Sequence, residues 1–500
     1  MTAKTLMIQG TGSGVGKSIL TAAFCRYFYQ AGYKVAPFKA QNMALNSFVT
    51  ESGGEIGRAQ AYQAEASGLK PDVLMNPILL KPSGDNNSQV IVMGKPVGSK
   101  NAKDFYSRHL QHKKVVTQAL DELKKNYELV IIEGAGSPAE INLKQWDLVN
   151  MFIAEKAESP VLIVGDIDKG GVFAWLKGTY DLFSEDEQNR VLGFIINKFR
   201  GDIEMLKPGI EQFEKMVGKP VLGVIPYFHD LVVDEEDSIP QRSYFAENKV
   251  QNPLNIAVIE IPRIANFTDL SPLALDPNIS LQYIQHPSQL RDHDLIILPG
   301  SKNTVGDMNY LNQQGMTKEI IKHHKSGSMI LGICGGFQML GRKIKDPENL
   351  ESREKEINGL GLFDFETTLV PEKLTRQVQL ETVKSNVFPE GLHCEGYEIH
   401  MGRTTFVSTY PALFSTSNGE NAMNFGITNQ DGTVFGTYLH GFLDNDLFRK
   451  NILRYIRNEK GLPEPQKLFD YSEFRKRELN RLADLVKTSI NMEIIEKRLH

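Results

Sequence analysis

Cysteine is scarce in this chain. The 500 residues include three cysteines, Cys25, Cys334 and Cys394, and their wide spacing pairs none of them with another. An odd and scattered set argues against a disulfide framework and against the clustered ligands of a structural zinc site. The sequence therefore predicts a protein of the reducing cytoplasm, and any cysteine in a distinctive pattern needs an explanation of its own.

Long apolar runs and blocks of one charge are also missing. No stretch approaches the ~18 uninterrupted apolar residues of a membrane-spanning helix, and the N-terminal residues run straight into a predicted strand instead of a secretory leader. The net charge is −5 without a basic block, so neither a membrane nor a nucleic acid is a predicted partner. The length predicts two or three domains.

The most informative stretch is MILGICGGFQML, residues 329–340. An apolar strand enters Gly-Ile-Cys-Gly-Gly and a helix-like stretch follows, which predicts a nucleophile elbow. The tight turn crowds its neighbours and requires flanking glycines. It would set Cys334 at a helix N-terminus, where the dipole favours thiolate, and would leave the Gly335 N–H to bind an oxyanion. A buried core cysteine is the alternative, but it does not explain the two glycines.

A base for this cysteine is predicted later in the chain. GTVFGTYLHG, residues 432–441, predicts a strand that ends at His440, and the active sites of open α/β sheets gather at the carboxyl edge. Another apolar strand opens into PGSKNT, residues 299–304, which offers a second N–H to the oxyanion. The predicted catalytic residues are therefore Cys334 as nucleophile and His440 as base.

The N-terminal residues predict a phosphate-binding loop. An apolar strand at residues 6–9 enters GTGSGVGKS, residues 10–18, and a helix is predicted from Ile19 to Gln30. In such a loop backbone N–H groups cradle phosphate, Lys17 reaches the β- and γ-oxygens, and Ser18 ligates magnesium. The first glycine lies one residue further from Gly-Lys-Ser than in the usual pattern. An incidental glycine-rich turn is the alternative.

Strands and helices alternate from this loop to Pro226, which predicts a doubly wound parallel sheet. The strand at residues 128–133 ends in Glu133, and an acid at that tip is the predicted second magnesium ligand. A later strand ends at Asn197, which resembles the adenine-reading position of related P-loop enzymes; a turn-forming asparagine is the alternative. The predicted ATP-binding residues are Gly10, Thr11, Ser13, Gly16, Lys17, Ser18 and Asn197.

A polar insertion lies between the first and second strand units, over residues 39–82. Its amides and isolated charges are unexpected in a core helix, so we predict substrate-recognition loops over the phosphate site. Glu55 is a candidate for a further acidic metal ligand. The predicted substrate-binding residues are Lys39, Gln41, Asn42, Arg58 and Lys81.

Periodicity fails at residues 238–253, which predicts a linker, and a second α/β series then opens at Asn255. The predicted organisation is a P-loop synthetase domain over residues 1–237, the linker, an amidotransferase-like α/β domain over residues 254–445, and a helical tail over residues 446–500. The tail contains an amphipathic charged helix from Tyr471 to Leu499.

These motifs together resemble a known family. GICGGFQML, GTYLHG and the PGSKNT loop are similar to a class I glutamine amidotransferase domain. The lengthened P-loop, which is similar to that of the dethiobiotin-synthetase group, and KAQNM, EIGRAQ, MNPILLKP and EGAGSPAEINL resemble the synthetase half of the cobyric acid synthase family, as does GYEIHMGRT. By this resemblance the oxyanion and glutamine-binding residues are Gly300, Ser301, Gly335 and Gln338.

The resemblance implies an ATP- and Mg²⁺-dependent ligase. It would convert the b, d, e and g carboxylates of adenosylcobyrinic acid a,c-diamide to amides, through acyl phosphates and ammonia from L-glutamine, with a sheltered ammonia route between the halves. A cobyrinic acid a,c-diamide synthase, a P-loop switch with a decayed amidotransferase half and a cell-wall ligase are the alternatives. A homo-oligomer is left open.

One position departs from the wider amidotransferase pattern. Most class I members have a glutamate two residues after the catalytic histidine, and Phe442 stands there in this chain. The ring of His440 must therefore be oriented by a residue from elsewhere, for which Glu398 is the suggestion, or the site must work as a Cys-His dyad.

Overall fold

The computed structural model describes residues 2–82, 87–228, 252–385, 387–415 and 420–499. The chain forms two compact units. The N-terminal unit comprises Met1–Ala44, Gly54–Glu236 and Arg475–His500, and the C-terminal unit comprises Leu45–Gly53 and Asp237–Phe474. Most of the predicted linker, residues 238–251, lies outside the described residues. No helix among the described ranges is both long and apolar enough to cross a lipid bilayer.

The strands and helices up to residue 226 are, in chain order, β1 (Lys4–Gly10), α1 (Lys17–Gln30), β2 (Val35–Phe38), β3 (Gln41–Met43), β4 (Ser47–Val49), β5 (Glu55–Gly57), α2 (Arg58–Ala66), β6 (Ile78–Pro82), β7 (Asn87–Val92), β8 (Lys95–Asn101), α3 (Ala102–Tyr106), α4 (His109–Asn126), β9 (Leu129–Glu133), α5 (Met151–Ala157), β10 (Val161–Asp166), α6 (Val172–Asp181), α7 (Glu185–Arg190), β11 (Val191–Phe199), α8 (Ile203–Val217) and β12 (Val221–Pro226).

The strands and helices from residue 254 onward are β13 (Leu254–Ile259), α9 (Ser271–Ala274), β14 (Ile279–Ile284), β15 (Leu295–Leu298), α10 (Thr304–Gln313), α11 (Met316–Lys325), β16 (Met329–Ile333), α12 (Gly335–Leu340), β17 (Lys343–Lys345), β18 (Glu356–Asn358), β19 (Phe365–Thr382), β20 (His393–Phe406), β21 (Phe414–Ser415), β22 (Gly426–Thr428), β23 (Val434–Thr437), β24 (Leu439–His440), α13 (Asp446–Glu459), α14 (Tyr471–Ser489) and α15 (Met492–Leu499).

The N-terminal unit is built on a parallel sheet with the strand order β12-β11-β10-β1-β9-β2. Its strands are apolar runs buried on both faces, as a parallel sheet covered by helices requires. Side chains alternate between the faces, so Leu6 and Ile8 belong to one hydrophobic cluster and Met7 to another. The predicted doubly wound architecture is confirmed, and the strand ends bring the loops after β1, β9 and β11 to one edge.

The polar insertion is more ordered and more buried than the word loop implies. It contains short strands and helix α2, and Lys39, Asn42, Arg58 and Lys81 are each at most 7% exposed. Amide side chains make this burial possible because they satisfy backbone groups: Asn76 donates to the carbonyls of Lys39 (3.1 Å) and Ile78 (2.9 Å), and accepts from the Gly57 N–H (3.0 Å). The insertion is therefore a buried polar layer.

The C-terminal unit contains a second mostly parallel sheet. Its order is β14-β13-β15-β16-β23-β22, in which β22 alone is antiparallel to its neighbour. Strand β16, which leads into the predicted elbow, lies between β15 and β23. Another sheet, of order β18-β17-β19-β20-β24, carries His440 on β24, which pairs with β20. Two sheets thus meet at the predicted nucleophile and base.

The predicted C-terminal tail is divided between the two units: residues 446–474 belong to the C-terminal unit, and residues 475–500 belong to the N-terminal unit. The predicted helix from Tyr471 to Leu499 is divided in two, and Ile490 between α14 and α15 bridges to Gly223. Leu482, Val486 and Ile495 are fully buried in the cluster that contains the α1 side chains. The Tyr27 hydroxyl donates to Glu496 at 2.7 Å. The tail therefore closes one face of the sheet.

The tail should contribute measurably to the stability of that unit. Leu482→Ala removes a fully buried side chain and should lower the free energy of unfolding by about 2–5 kcal/mol. Both tryptophans of the sequence, Trp146 and Trp175, lie in the N-terminal unit, so denaturant unfolding followed by tryptophan fluorescence reads this unit. Leu110→Ala, at a side chain of α4 in the same unit that is 72% exposed, is the matched control and should change it by less than about 0.5 kcal/mol. Equal midpoints for both variants would contradict the packing role of the tail.

Candidate functional site

The backbone at Cys334 is strained. The residue has φ 51° and ψ −105° and stands as the N-cap of α12, directly after β16. Holding a non-glycine residue in the left-handed region costs on the order of 1–3 kcal/mol, and such residues are found mainly at functional sites. The neighbouring glycines are required by close approach: a Cβ at Gly336 would lie 2.0 Å from the Leu298 carbonyl oxygen, and one at Gly335 would lie 2.8 Å from the Ser301 nitrogen. The predicted elbow is present.

His440 reaches the cysteine and is held by a third side chain. The Cys334 sulfur lies close enough to raise the pKa of the ring, and the thiol itself donates to the Ile399 carbonyl at 3.8 Å. Nδ1 of the ring lies 2.6 Å from Asp269 Oδ2. The other carboxylate oxygen accepts the Gly441 N–H at 2.9 Å. Burial alone would lower the pKa of His440, but the Asp269 carboxylate and the Cys334 sulfur outweigh it and raise the pKa to about 10. The ring is therefore an imidazolium at neutral pH. We call Cys334, His440 and Asp269 the thiol site.

The suggestion of Glu398 as the third member is wrong. Its carboxylate lies 2.5 Å from Arg376 Nε and 3.6 Å from His400 Nε2, whereas Asp269 occupies the position against His440 Nδ1. Asp269 comes from the short 3₁₀ helix Phe267–Leu270, which follows β13. Sequence reasoning missed it because the pair is 171 residues apart; the available signal was a lone acid within an apolar, buried stretch.

The predicted oxyanion donors lie together. Gly335 packs against the Ser301 nitrogen, so the first turn of α12 lies next to the PGSKNT loop. The first N–H groups of a helix have no intrahelical acceptor. The Ser301 hydroxyl donates to Asp307 at 2.6 Å. Gln338 is buried and its Nε2 lies 3.4 Å from the Tyr438 hydroxyl. Gly300 packs near the His440 ring, since a Cβ there would lie 3.4 Å from Cε1.

The phosphate loop has the predicted connection to the tip of β9. Gly14 and Gly16 have φ of 72° and 101°, which only glycine adopts readily. Lys17 Nζ donates to the carbonyls of Gly12 (2.7 Å) and Gly136 (3.1 Å). The Ser18 hydroxyl donates to Glu133 Oε1 at 2.7 Å. We call Gly14, Gly16, Lys17, Ser18 and Glu133 the phosphate site.

Glu133 is the centre of the phosphate site. It is fully buried, and Lys39 Nζ lies 2.8 Å from Oε1 while Gln63 Nε2 donates to Oε2 at 2.6 Å. Burial alone would raise the pKa of Glu133, but the Lys39 ammonium and the hydrogen bonds from Ser18 and Gln63 lower it below its ordinary value. The carboxylate is therefore ionised at neutral pH. Lys39, which was predicted as a substrate anchor, therefore lies beside the phosphate site.

The donor set suits magnesium. A hydroxyl from Ser18 and an ionised carboxylate from Glu133, 2.7 Å apart, are hard oxygen ligands of the kind that bind Mg²⁺ together with substrate phosphates. Among the described residues no group of three or more His, Cys, Asp or Glu side chains could hold a metal ion by itself. A magnesium ion at Ser18 and Glu133 would therefore need further ligands from outside these two side chains.

The other predicted residues occupy varied positions. Asn197 Nδ2 donates to the Val15 carbonyl at 2.8 Å and supports the phosphate loop, so its adenine-reading role stays a prediction. Glu55 and Lys81, predicted as metal ligand and substrate anchor, are paired with each other at 2.8 Å in a buried ion pair. Asn42 Nδ2 donates to Gln60 at 2.9 Å. Positions of the remaining residues are as follows: Gly10 ends β1, Thr11 and Ser13 lie in the loop, Gln41 begins β3, and Arg58 begins α2.

Comparisons with known proteins match both halves of the chain. Two family models match the chain: the CobQ/CobB/MinD/ParA nucleotide binding domain over residues 6–240 and the CobB/CobQ-like glutamine amidotransferase domain over residues 255–448. The phosphate site lies in the first match and the thiol site in the second.

Curated relatives extend over nearly the whole length. The cobyric acid synthase of Thermoanaerobacter sp. (strain X514) is 49% identical, with 98% of this chain and 99% of that protein covered. That of Dehalococcoides mccartyi (strain CBDB1) is 48% identical, with 99% and 98% covered, and that of Clostridium acetobutylicum is 45% identical, with 98% and 97% covered. The chain therefore belongs to the cobyric acid synthase family.

Proposed function

We propose that this chain amidates the b, d, e and g carboxylates of adenosylcobyrinic acid a,c-diamide in the cytoplasm, with one ATP and one glutamine consumed for each amide. The observation that carries the proposal is the presence in one chain of a thiol site with an oriented imidazolium and a phosphate site with an ionised acid. The near-full-length relatives favour this substrate over the single a,c-diamidation considered as an alternative.

The phosphate site makes the carboxylate reactive. A carboxylate does not react with ammonia because its leaving group would be oxide, whereas an acyl phosphate has phosphate as its leaving group. The substrate oxygen attacks the γ-phosphorus of ATP and ADP departs. Lys17 and Lys39 place ammonium charge where the transferring group carries negative charge. Ser18 and Glu133 would hold Mg²⁺, which supplies further neutralisation of that charge.

The thiol site supplies the nitrogen. The Cys334 thiolate attacks the side-chain carbonyl carbon of glutamine, and the N–H groups at Gly335 and Ser301 bind the oxyanion. The His440 imidazolium then gives its proton to the departing nitrogen, which leaves as ammonia, and a thioester remains. His440 next takes a proton from water as it attacks the thioester, and glutamate is released. Asp269 keeps Nδ1 protonated and aims Nε2 at the reacting atoms.

Removing the Asp269 charge should damage this chemistry. In Asp269→Asn the amide oxygen can still accept the Gly441 N–H, but the ring loses its anionic partner. We expect glutamine hydrolysis to fall by about 10²- to 10⁴-fold at neutral pH. The pKa of His440 should fall from about 10, because the carboxylate that raises it is gone. The imidazolium then loses its proton at a lower pH, so the alkaline limb of the kcat/KM profile should move to lower pH. Rates of glutamate release across pH 6–10 measure both effects.

Glu398→Gln is the control for that experiment. It removes a buried carboxylate of the same unit that pairs with Arg376, and it should leave the alkaline limb in place. An equal shift of the limb in both variants, or none in Asp269→Asn, would contradict the assignment of Asp269.

Two further variants test the division of labour. Cys334→Ser should abolish amidation with glutamine but retain amidation with ammonium salts, because only the nitrogen supply is lost. Lys17→Ala should lose both reactions, since it removes a phosphate-binding ammonium. Mass spectrometry of the product from the a,c-diamide, ATP and either nitrogen source reads the number of amides formed. Amidation by Lys17→Ala at the wild-type rate, or a wild-type product with a single new amide, would overturn the proposed reaction.

A further inference from the structure

A short N-terminal segment belongs to the C-terminal unit. Residues 45–53 include β4 and lie within the sequence of the polar insertion. Their contacts nevertheless assign them to the unit that contains the thiol site. We call them the 45–53 segment. Val49 is fully buried in a cluster with Tyr397 and Ile399. At its end the Thr375 hydroxyl donates to the Gly53 carbonyl at 2.8 Å. The segment is therefore a firmly packed part of that unit.

One end of the segment holds the helix that carries Asp269. The Phe267 N–H donates to Asn46 Oδ1 at 3.0 Å, and the Ser47 N–H donates to Asn266 Oδ1 at 3.0 Å. Each asparagine thus binds the backbone beside the other. Asn266 has φ 53°, and its carbonyl accepts the Asp269 N–H at 3.0 Å. This reciprocal pair fixes the start of the 3₁₀ helix on which Asp269 stands.

The same segment also holds the ring that covers His440. The Tyr397 hydroxyl donates to the Ser47 carbonyl at 3.1 Å, and Phe48 packs on the tyrosine ring with centroids 5.0 Å apart. The Tyr397 ring in turn stacks on His440, with centroids 5.4 Å apart and planes at 25°. His440 is therefore contacted along its edge by Asp269 and on its face by Tyr397, and both contacts are anchored by the 45–53 segment.

We infer that the 45–53 segment is a positioning element of the thiol site, in which Asn46 and Tyr397 act as positioning residues through Asp269 and His440. The inference rests on the proposed function, since it concerns the rate of glutamine hydrolysis. Neither residue touches the reacting atoms. Their effect is to hold the carboxylate and the imidazole in the geometry of proton transfer, in which displacements near 1 Å cost up to ~10²-fold in rate.

The test uses the full-length protein. Asn46→Ala removes the acceptor for the Phe267 N–H, and kcat for glutamine hydrolysis should fall by about 10- to 10²-fold while KM for glutamine changes little. Asn46→Asp keeps an acceptor oxygen and should restore most of the lost rate. Tyr397→Phe keeps the ring on His440 and removes only the hydroxyl, so it should lower kcat by a smaller factor. Asn312→Ala, at an exposed position of α10, is the matched control and should leave kcat unchanged.

Amidation with ammonium salts separates positioning from general damage. It bypasses the thiol site, so Asn46→Ala should retain it at the wild-type rate. Loss of both reactions together, or a wild-type kcat for glutamine hydrolysis in Asn46→Ala, would overturn the inference. Failure of the wild-type protein to form amides from ammonium, ATP and the a,c-diamide would instead contradict the proposed function, because glutamine hydrolysis is read separately as glutamate release.

Discussion

The carboxylate of Asp269 is buried beside the His440 ring, and a charge in that position is tolerated only when it is paired and hydrogen-bonded. The pairing has a chemical consequence, since it keeps the ring protonated until well above neutral pH. A protonated ring next to Cys334 is a proton donor, as the proposed release of ammonia requires. The strained elbow, the PGSKNT loop and the stacked Tyr397 ring all lie around this one ion pair.

The N-terminal unit applies the same principle to Glu133. Its carboxylate is fully buried and is compensated by Lys39, Ser18 and Gln63. Removing one partner from such a network costs more free energy of folding than removing one partner of an exposed ion pair, because the remaining charge stays desolvated. This explains why the insertion is so rich in amides: each buried amide satisfies a carboxylate or a backbone group. Polarity in this stretch therefore follows in part from the requirements of buried acids, while its role in substrate recognition stays a prediction.

Local patterns made much of the molecule predictable. The strands that carry Glu133 and Asn197 near their ends, the phosphate loop and the elbow at Cys334 are each encoded in consecutive residues, so apolar runs and glycine spacing suffice to find them. Asp269 was not predictable in this way, because its partner is 171 residues away and a lone acid in an apolar stretch does not by itself identify that partner. The ion pair between Glu55 and Lys81 was missed for a similar reason. Glu55 was assigned to a metal ion and Lys81 to the substrate, whereas in the fold the two side chains pair with each other.

Chain connectivity explains why the predicted boundaries at residues 237 and 254 do not describe self-sufficient pieces. The N-terminal unit is assembled from three stretches of the chain, and the C-terminal unit from two. A fragment that began at the linker would lack the 45–53 segment, and with it the groups that bind the Asp269 helix and the Tyr397 hydroxyl. The complementary fragment would lack α15 and the buried side chains of α14, and would expose the apolar face of α1. Each unit therefore needs residues that lie on the far side of the linker in the sequence, and the two activities are joined in one chain by their folds as well as by their chemistry.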